Sequence, residues 1–248
     1  MFLRKAAPIV IFLVFAVVLA ACAPKYDKMS PKEIYELGEG KYSSKSYSDA
    51  IEAYEALIDL YPFSTYVTQA ELKIADAYYA RRRYAEAAVA YEDFIEKHPT
   101  NESAPHAIHY LGLSHFEQKR AIDRDQEETH SAEQTLSRLV TQYPDYNGYE
   151  DAKRKLAEVR KDLAARERYI ARFYWREKEY YAALMRFERV IRDYSDTAYY
   201  PEALYYSAMC LTKLKEKEEA GQYLDMLLAR FPENKYAKKA RGNLNEVP

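Results

Sequence analysis

One motif of sixteen residues, seen most clearly from Tyr47 to Pro62, returns four more times along the chain, and this recurrence limits the fold more than any other feature. In that copy Ala50, Tyr54, Leu57, Ile58 and Tyr61 recur at steps of three and four, so they share one helical stripe while Glu52, Glu55 and Asp59 lie on other faces. Pro62 ends the helix, because it has no N–H to donate and its ring clashes with the preceding turn. The skeleton is a small residue, an aromatic or Leu four on, an aromatic or His seven beyond that, then usually Pro. It recurs as Ala87-Tyr91-His98-Pro99, Ala132-Leu136-Tyr143-Pro144, Ala183-Phe187-Tyr194-Ser195 and Ala220-Leu224-Phe231-Pro232.

A second small residue lies twelve positions before that Ala in four copies, at Gly38, Ala75, Ala171 and Ala208. In the third copy it is Gly112, which implies an insertion of about eight residues in the turn between two paired helices. Small residues facing each other let two helices pack closely. This pattern resembles the tetratricopeptide repeats, helix-turn-helix units of about 34 residues that stack into a superhelix. The implied fold is all-α: about five helix pairs in a tetratricopeptide-like superhelix, with a C-terminal capping helix. The terminal positions are 37, 45, 51 and 37 residues apart, so the middle of the chain carries extra material.

Ser30-Pro31-Lys32-Glu33 combines an N-cap, Pro at the first helical position and a capping-box Glu, so the first helix starts there and runs to about Ser43. In the second unit the spacing predicts helices from about Thr68 to Arg82 and from Tyr84 to Lys97. KRAIDRDQEETHS, after HAIHYLGLSHFEQ, has no apolar period and reads as a loop or frayed helix end. From Asp151 onward Leu156, Val159, Leu163, Ile170 and Phe173 keep helical spacing without Gly or Pro, which predicts one helix well above average length. Tyr236 to Leu244 reads as a polar cap, as terminal repeats require.

At the start, Arg4 and Lys5 precede sixteen uncharged residues, Ala6 to Ala21, and then Cys22. That run is short for a membrane span and suits a secretory signal. Leu19-Ala20-Ala21-Cys22 resembles a bacterial lipobox, which implies cleavage before Cys22 and lipidation of it; Ala23 after it, by resemblance to Gram-negative sorting, implies the outer membrane. The expected divisions are 1–21 signal peptide, 22–29 lipidated tether, 30–144 units one to three, and 145–248 units four and five with the long helix and cap. Without residues 1–21, 35 basic residues face 39 acidic ones, which does not describe a nucleic-acid surface. Only Cys210 remains after Cys22, so no intramolecular disulfide is expected.

His106, His109 and His115 share no known zinc spacing with an acid, so no metal is expected, and no glycine-rich phosphate loop or other cofactor motif is present. Cys210 lies among apolar residues and reads as a small core residue. Nothing in the chain reads as an active site. Arg81-Arg82-Arg83 reads as a solvated turn. In tetratricopeptide-like units the first helix lines the concave side, and its outward positions follow from helical phase. That phase gives Tyr35, Glu39 and Tyr42; Gln69, Leu72, Asp76 and Tyr79; and His106, His109, Leu113 and Phe116, an aromatic groove for a peptide with a bulky apolar end. In the fourth unit it gives Arg168, Arg172, Trp175 and Arg176, a basic partner-binding surface.

The whole chain after the signal is similar to the BamD family of outer-membrane lipoproteins. The likeness is carried by the lipobox, YPFSTYVTQAELKIADAYY, FIEKHPTN, HYLGLSHFEQ with DRDQ, and RYIARFYWREKEYYAALMRFERVIRDYSDT. Ser195 departs from the repeat pattern, and the chain ends soon after its cap. The resemblance implies a non-enzymatic scaffold on the periplasmic face of the outer membrane. It also implies binding of the barrel-forming BamA subunit and other assembly-machine subunits through the C-terminal half, and of unfolded β-barrel proteins through the N-terminal groove. An alternative is a tetratricopeptide lipoprotein serving pilus or secretin assembly, or the Tol-associated machinery.

Overall fold

The computed structural model describes residues 25–243, and these are all-α. Ten successive helices follow the five repeats: α1 (Pro31–Ser43), α2 (Tyr47–Leu60), α3 (Val67–Ala80), α4 (Tyr84–Lys97), α5 (Ala104–Glu117), α6 (Glu127–Gln142), α7 (Tyr149–Arg176), α8 (Tyr180–Asp193), α9 (Tyr200–Leu214) and α10 (Lys217–Arg230). The cap is α11 (Lys235–Asn243). The fold is therefore the expected tetratricopeptide-like class. Cys22 and the signal segment 1–21 lie outside the described residues.

The chain forms two compact units, one ending at Arg81 and one beginning at Arg82. In the first, α2 packs on both α1 and α3; in the second, each helix from α4 to α10 packs on the next, and α11 closes on α9 and α10. Across 144/145, where the third repeat gives way to the fourth, α6 and α7 pack directly on each other.

The repeat skeleton is the core. Ala50, Ala75, Ala87, Ala132, Ala171, Ala183, Ala208 and Ala220 are fully buried. Where the small residue of a first helix is Gly, it faces the large residue of the partner helix. A Cβ on Gly38 would lie 2.5 Å from the Tyr54 ring, and one on Gly112 would lie 2.7 Å from Leu136. Both approaches are closer than real Cβ atoms make.

The connections between repeats are built alike. Tyr61, His98, Tyr143, Tyr194 and Phe231 each end a helix at φ between −129° and −135°, with their N–H on the carbonyl four residues back. Each carbonyl then accepts from the residue three on, with Ser64, Asn101, Tyr146, Thr197 and Asn234 donating at 2.9–3.2 Å. Ser195 sits in the same turn as the four prolines. Left-handed residues follow α1, α3, α7 and α9 and are all cationic: Lys45, Arg82, Lys178 and Lys215, with φ from 59° to 72°. At Lys45, Lys178 and Lys215 the next N–H reaches back five residues, as in Ser46 to the Lys41 carbonyl at 2.9 Å, which closes the helix end. A cation there also complements the negative end of the helix.

Two local expectations are corrected. The charged insert is non-helical only to Gln126; Glu127–Ser131 opens α6, because Gln126 turns inward. Its amide donates to the Ala121 carbonyl at 3.0 Å and accepts from buried Thr129 at 3.0 Å, while Glu127 and Glu128 suit the positive helix start. The segment expected as a tether through Met29 is folded from Lys25 on: Tyr26 is buried with Ile34, Ala50, Tyr54 and Leu57. The capping box is present as expected, with Ser30 N–H donating to Glu33 at 2.7 Å.

Candidate binding surfaces

In the first unit the outward residues of α1 and α3 form one polar-aromatic face. Tyr35 is half-buried, its ring 5.1 Å from that of Tyr66 and 5.8 Å from that of Tyr54, and the Tyr54 hydroxyl donates to Glu39. Burial, followed by that carboxylate, raises the Tyr54 phenol well above its ordinary value, so it stays a neutral donor. Lys73 joins the two helices, with its ammonium 3.7 Å from Glu39 and 5.1 Å from the Tyr42 ring. Helical phase had not singled out Lys73. Gln69 is exposed, and Leu72, Asp76 and Tyr79 are half-buried.

The third-unit residues are placed differently. His106 remains half-buried, its ring 4.5 Å from that of Tyr110. His109, Leu113 and Phe116, expected to line the aromatic groove, are buried at 5%, 8% and 9% exposure. The cause is the flanking chain. His109 Nε2 lies 3.1 Å from Asp151 at the start of α7, and its ring packs edge-on against Tyr146. Phe116 carries Lys119 and Lys155 at 3.8 and 3.9 Å from its ring centre, and Lys119 is held by Asp162 of α7 at 2.7 Å. Desolvation lowers the His109 pKa despite the opposing pull of Asp151. Gly148 is needed here, since a Cβ would lie 2.4 Å from the Tyr146 ring and 2.7 Å from His109.

The fourth-unit set lies along α7 facing α9. Arg168 Nε donates to Glu202 Oε2 at 2.7 Å, and Glu202 is buried. The Arg172 guanidinium stands 4.4 Å from the Tyr206 ring centre, and Trp175 packs edge-on against Tyr206 and Tyr180. Arg176 is exposed. From the other side Lys239 of α11 lies 5.0 Å from the Tyr205 ring and 5.9 Å from that of Tyr206, and Lys235 lies 4.9 Å from Tyr236. The result is a row of rings with cations along it. Glu202, Tyr205, Tyr206, Tyr236 and Lys239 were not singled out from sequence, although the same phase carried from Ala208 falls on Glu202 and Tyr205. The opposite side of α7 carries a buried carboxylate, Glu167, which accepts from Arg186 and Arg189 of α8 at 3.1 Å.

Burial pushes the Cys210 thiol up to about 12, which keeps it un-ionised, as its core position suggested. Among the described residues no three His, Cys, Asp or Glu side chains come together as a metal site, and no helix is long and apolar enough to cross a membrane.

Residues 27–222 match a family model described as "YfiO: Outer membrane lipoprotein". Similar proteins include "Outer membrane protein assembly factor BamD" of Caulobacter vibrioides, 29% identical over 98% of this chain and 82% of that protein. The protein of that name from Rickettsia prowazekii is 29% identical over 90% and 91%, and the one from Vibrio cholerae 30% over 67% and 73%. Among solved structures, MamA protein aligns at TM-score 0.42 and 18% identity, over 87% of this chain and 94% of that one.

Proposed function

We propose, from the premise that this chain belongs to the YfiO family of outer membrane lipoproteins, that it is an outer-membrane protein assembly factor. In this proposal it is a non-enzymatic scaffold, held by lipid on Cys22 at the periplasmic face of the outer membrane. The observation that carries this is the family match, which runs from the folded N-terminal segment into α10. The row of cations and rings on α7, α9 and α11 binds a folded assembly subunit, the barrel-forming BamA component. Arginine and aromatic side chains that are already held in place lose little conformational freedom on binding, which is why such residues dominate protein interfaces. The α1 and α3 face, with Tyr35, Tyr42, Gln69, Leu72, Asp76 and Tyr79, takes the C-terminal segment of an unfolded β-barrel protein.

Two sets of variants test this in one experiment. Arg172→Glu with Arg176→Glu is expected to weaken binding of BamA periplasmic domains at least about tenfold, by reversing charge at a rim that steers and holds the partner. Tyr42→Ala is expected to weaken binding of a barrel-derived peptide with an aromatic C-terminus and leave the subunit complex intact. Helical circular dichroism establishes that each variant is folded. Loss of the subunit only in the Tyr42→Ala variant, or capture of a secretin or Tol component in place of a barrel subunit, would overturn the proposal.

A further inference from the structure

Lipid anchors are ordinarily joined to their domains by a flexible segment, and residues 22–29 have the polar composition of one. Lys25–Met29 does not behave as one. Tyr26 is 6% exposed and belongs to the core of the first unit, and its hydroxyl donates to Glu52 of α2 at 3.1 Å. Lys25 reaches the same carboxylate at 3.3 Å. The Met29 N–H closes a turn onto the Tyr26 carbonyl at 3.0 Å, and the Tyr61 hydroxyl at the end of α2 donates to the Met29 carbonyl at 2.7 Å. Ser30 then caps α1. The strap is thus fastened to α2 at Glu52 and again at Tyr61, and it runs into a capped helix without a free residue between.

We infer that Lys25–Met29 is a rigid strap that seats the first repeat unit directly on the membrane surface, with the lipid headgroups as its partner. The inference rests on the proposed lipidation of Cys22. Only three peptide steps separate Cys22 from Lys25, and they span at most about 11 Å. The polar layer on each side of a bilayer's hydrocarbon core is itself about 6 Å deep. A flexible segment of the length 22–29 would instead place α1 at an r.m.s. distance of about 16 Å and allow up to about 28 Å. With the strap fastened at both ends, the first unit stands at the headgroups in a restricted set of orientations.

The test uses the full, acylated chain in phosphatidylethanolamine–phosphatidylglycerol liposomes. Trypsin is expected to cut after Lys25 and Lys28 at least about tenfold more slowly in the natural chain than in Tyr26→Ser, at equal helical circular dichroism, because cleavage requires local opening. A dye on Lys28→Cys, in a Cys210→Ala background, reports transfer to acceptors in the headgroups. Inserting about eight Gly and Ser residues after Pro24 is expected to lower that transfer at least about twofold. The insertion leaves every contact of the folded unit in place, so it decides the seating even if Tyr26→Ser unfolds. Equal cleavage of the natural chain and a folded Tyr26→Ser, or transfer unchanged by the insertion, overturns the strap. An N-terminal peptide whose mass carries no acyl chains overturns the lipidation itself, a separate outcome.

Discussion

Gly38 and Gly40 lie two residues apart in α1 and have opposite requirements. A Cβ at Gly38 would press into the buried ring of Tyr54, whereas at Gly40 nothing lies within 4 Å. Overpacking costs about 1–3 kcal/mol and Gly to Ala in a helix returns about 0.5–1 kcal/mol, so Gly38→Ala is expected to be a net loss. Gly40→Ala gains the smaller amount alone, and chemical denaturation of both variants checks the opposite signs. His109 supplies a pH dependence. Its folded pKa is below the unfolded value, so on acidification the unfolded chain takes up the proton first. The stability that the neutral ring contributes is complete above about pH 6.5 and is lost as pH falls through the folded value. His109→Gln should therefore flatten the decline in stability between about pH 7 and 5.5, measured by denaturation midpoints across that range. Sequence identified Gly38 by its place in the repeat, but the burial of His109 needs Tyr146, Gly148 and Asp151, none of which the repeat pattern singles out.

At the level of elements, the connection after α8 lets one prediction be drawn from the other four. Tyr194 ends α8 at φ −130° and ψ 36°, close to the ψ of 51° to 62° at the residues preceding Pro62, Pro99, Pro144 and Pro232. Ser195→Pro is expected to raise stability by about 0.4–1 kcal/mol, by restricting the unfolded chain without removing a bond of the turn. A lowered thermal midpoint would mean that the small change in ψ at Tyr194 costs more than the entropy it offsets. Most elements were legible in advance: the 28-residue α7 follows from an apolar period that no Gly or Pro interrupts. The start of α6 was not legible, because EETHS has no apolar stripe and is ordered instead by the inward turn of Gln126 and the bond to Thr129. The left-handed Lys45, Lys178 and Lys215 were likewise hidden, since Gly is the usual residue at such a position.

For the molecule as a whole, attachment is expected to depend on Cys22, the residue proposed to carry the lipid; no helix among residues 25–243 is long and apolar enough to cross a membrane. Cys22→Ser should leave the chain unlipidated and absent from washed outer membranes, while its helical circular dichroism is unchanged. Tight retention of the mature variant would refute the anchoring proposal. The sequence by itself determined the number of repeats, the small and large slots of each helix pair and the turns that end them. These are short-range properties, set by periods of three and four residues and by where Pro and Ala fall. Only the tertiary structure decided which outward faces stay open. Tyr35 and Tyr42 carry the same phase as His109 and Phe116, yet His109 and Phe116 are covered, by Tyr146, Asp151, Lys119 and Lys155. Arg168 and Arg172 are likewise engaged by Glu202 and Tyr206, 34 residues further along the chain in each case. Helical phase gives the direction of a side chain from its own axis. What lies in that direction is set by the packing of neighbouring elements, which no period within one repeat contains.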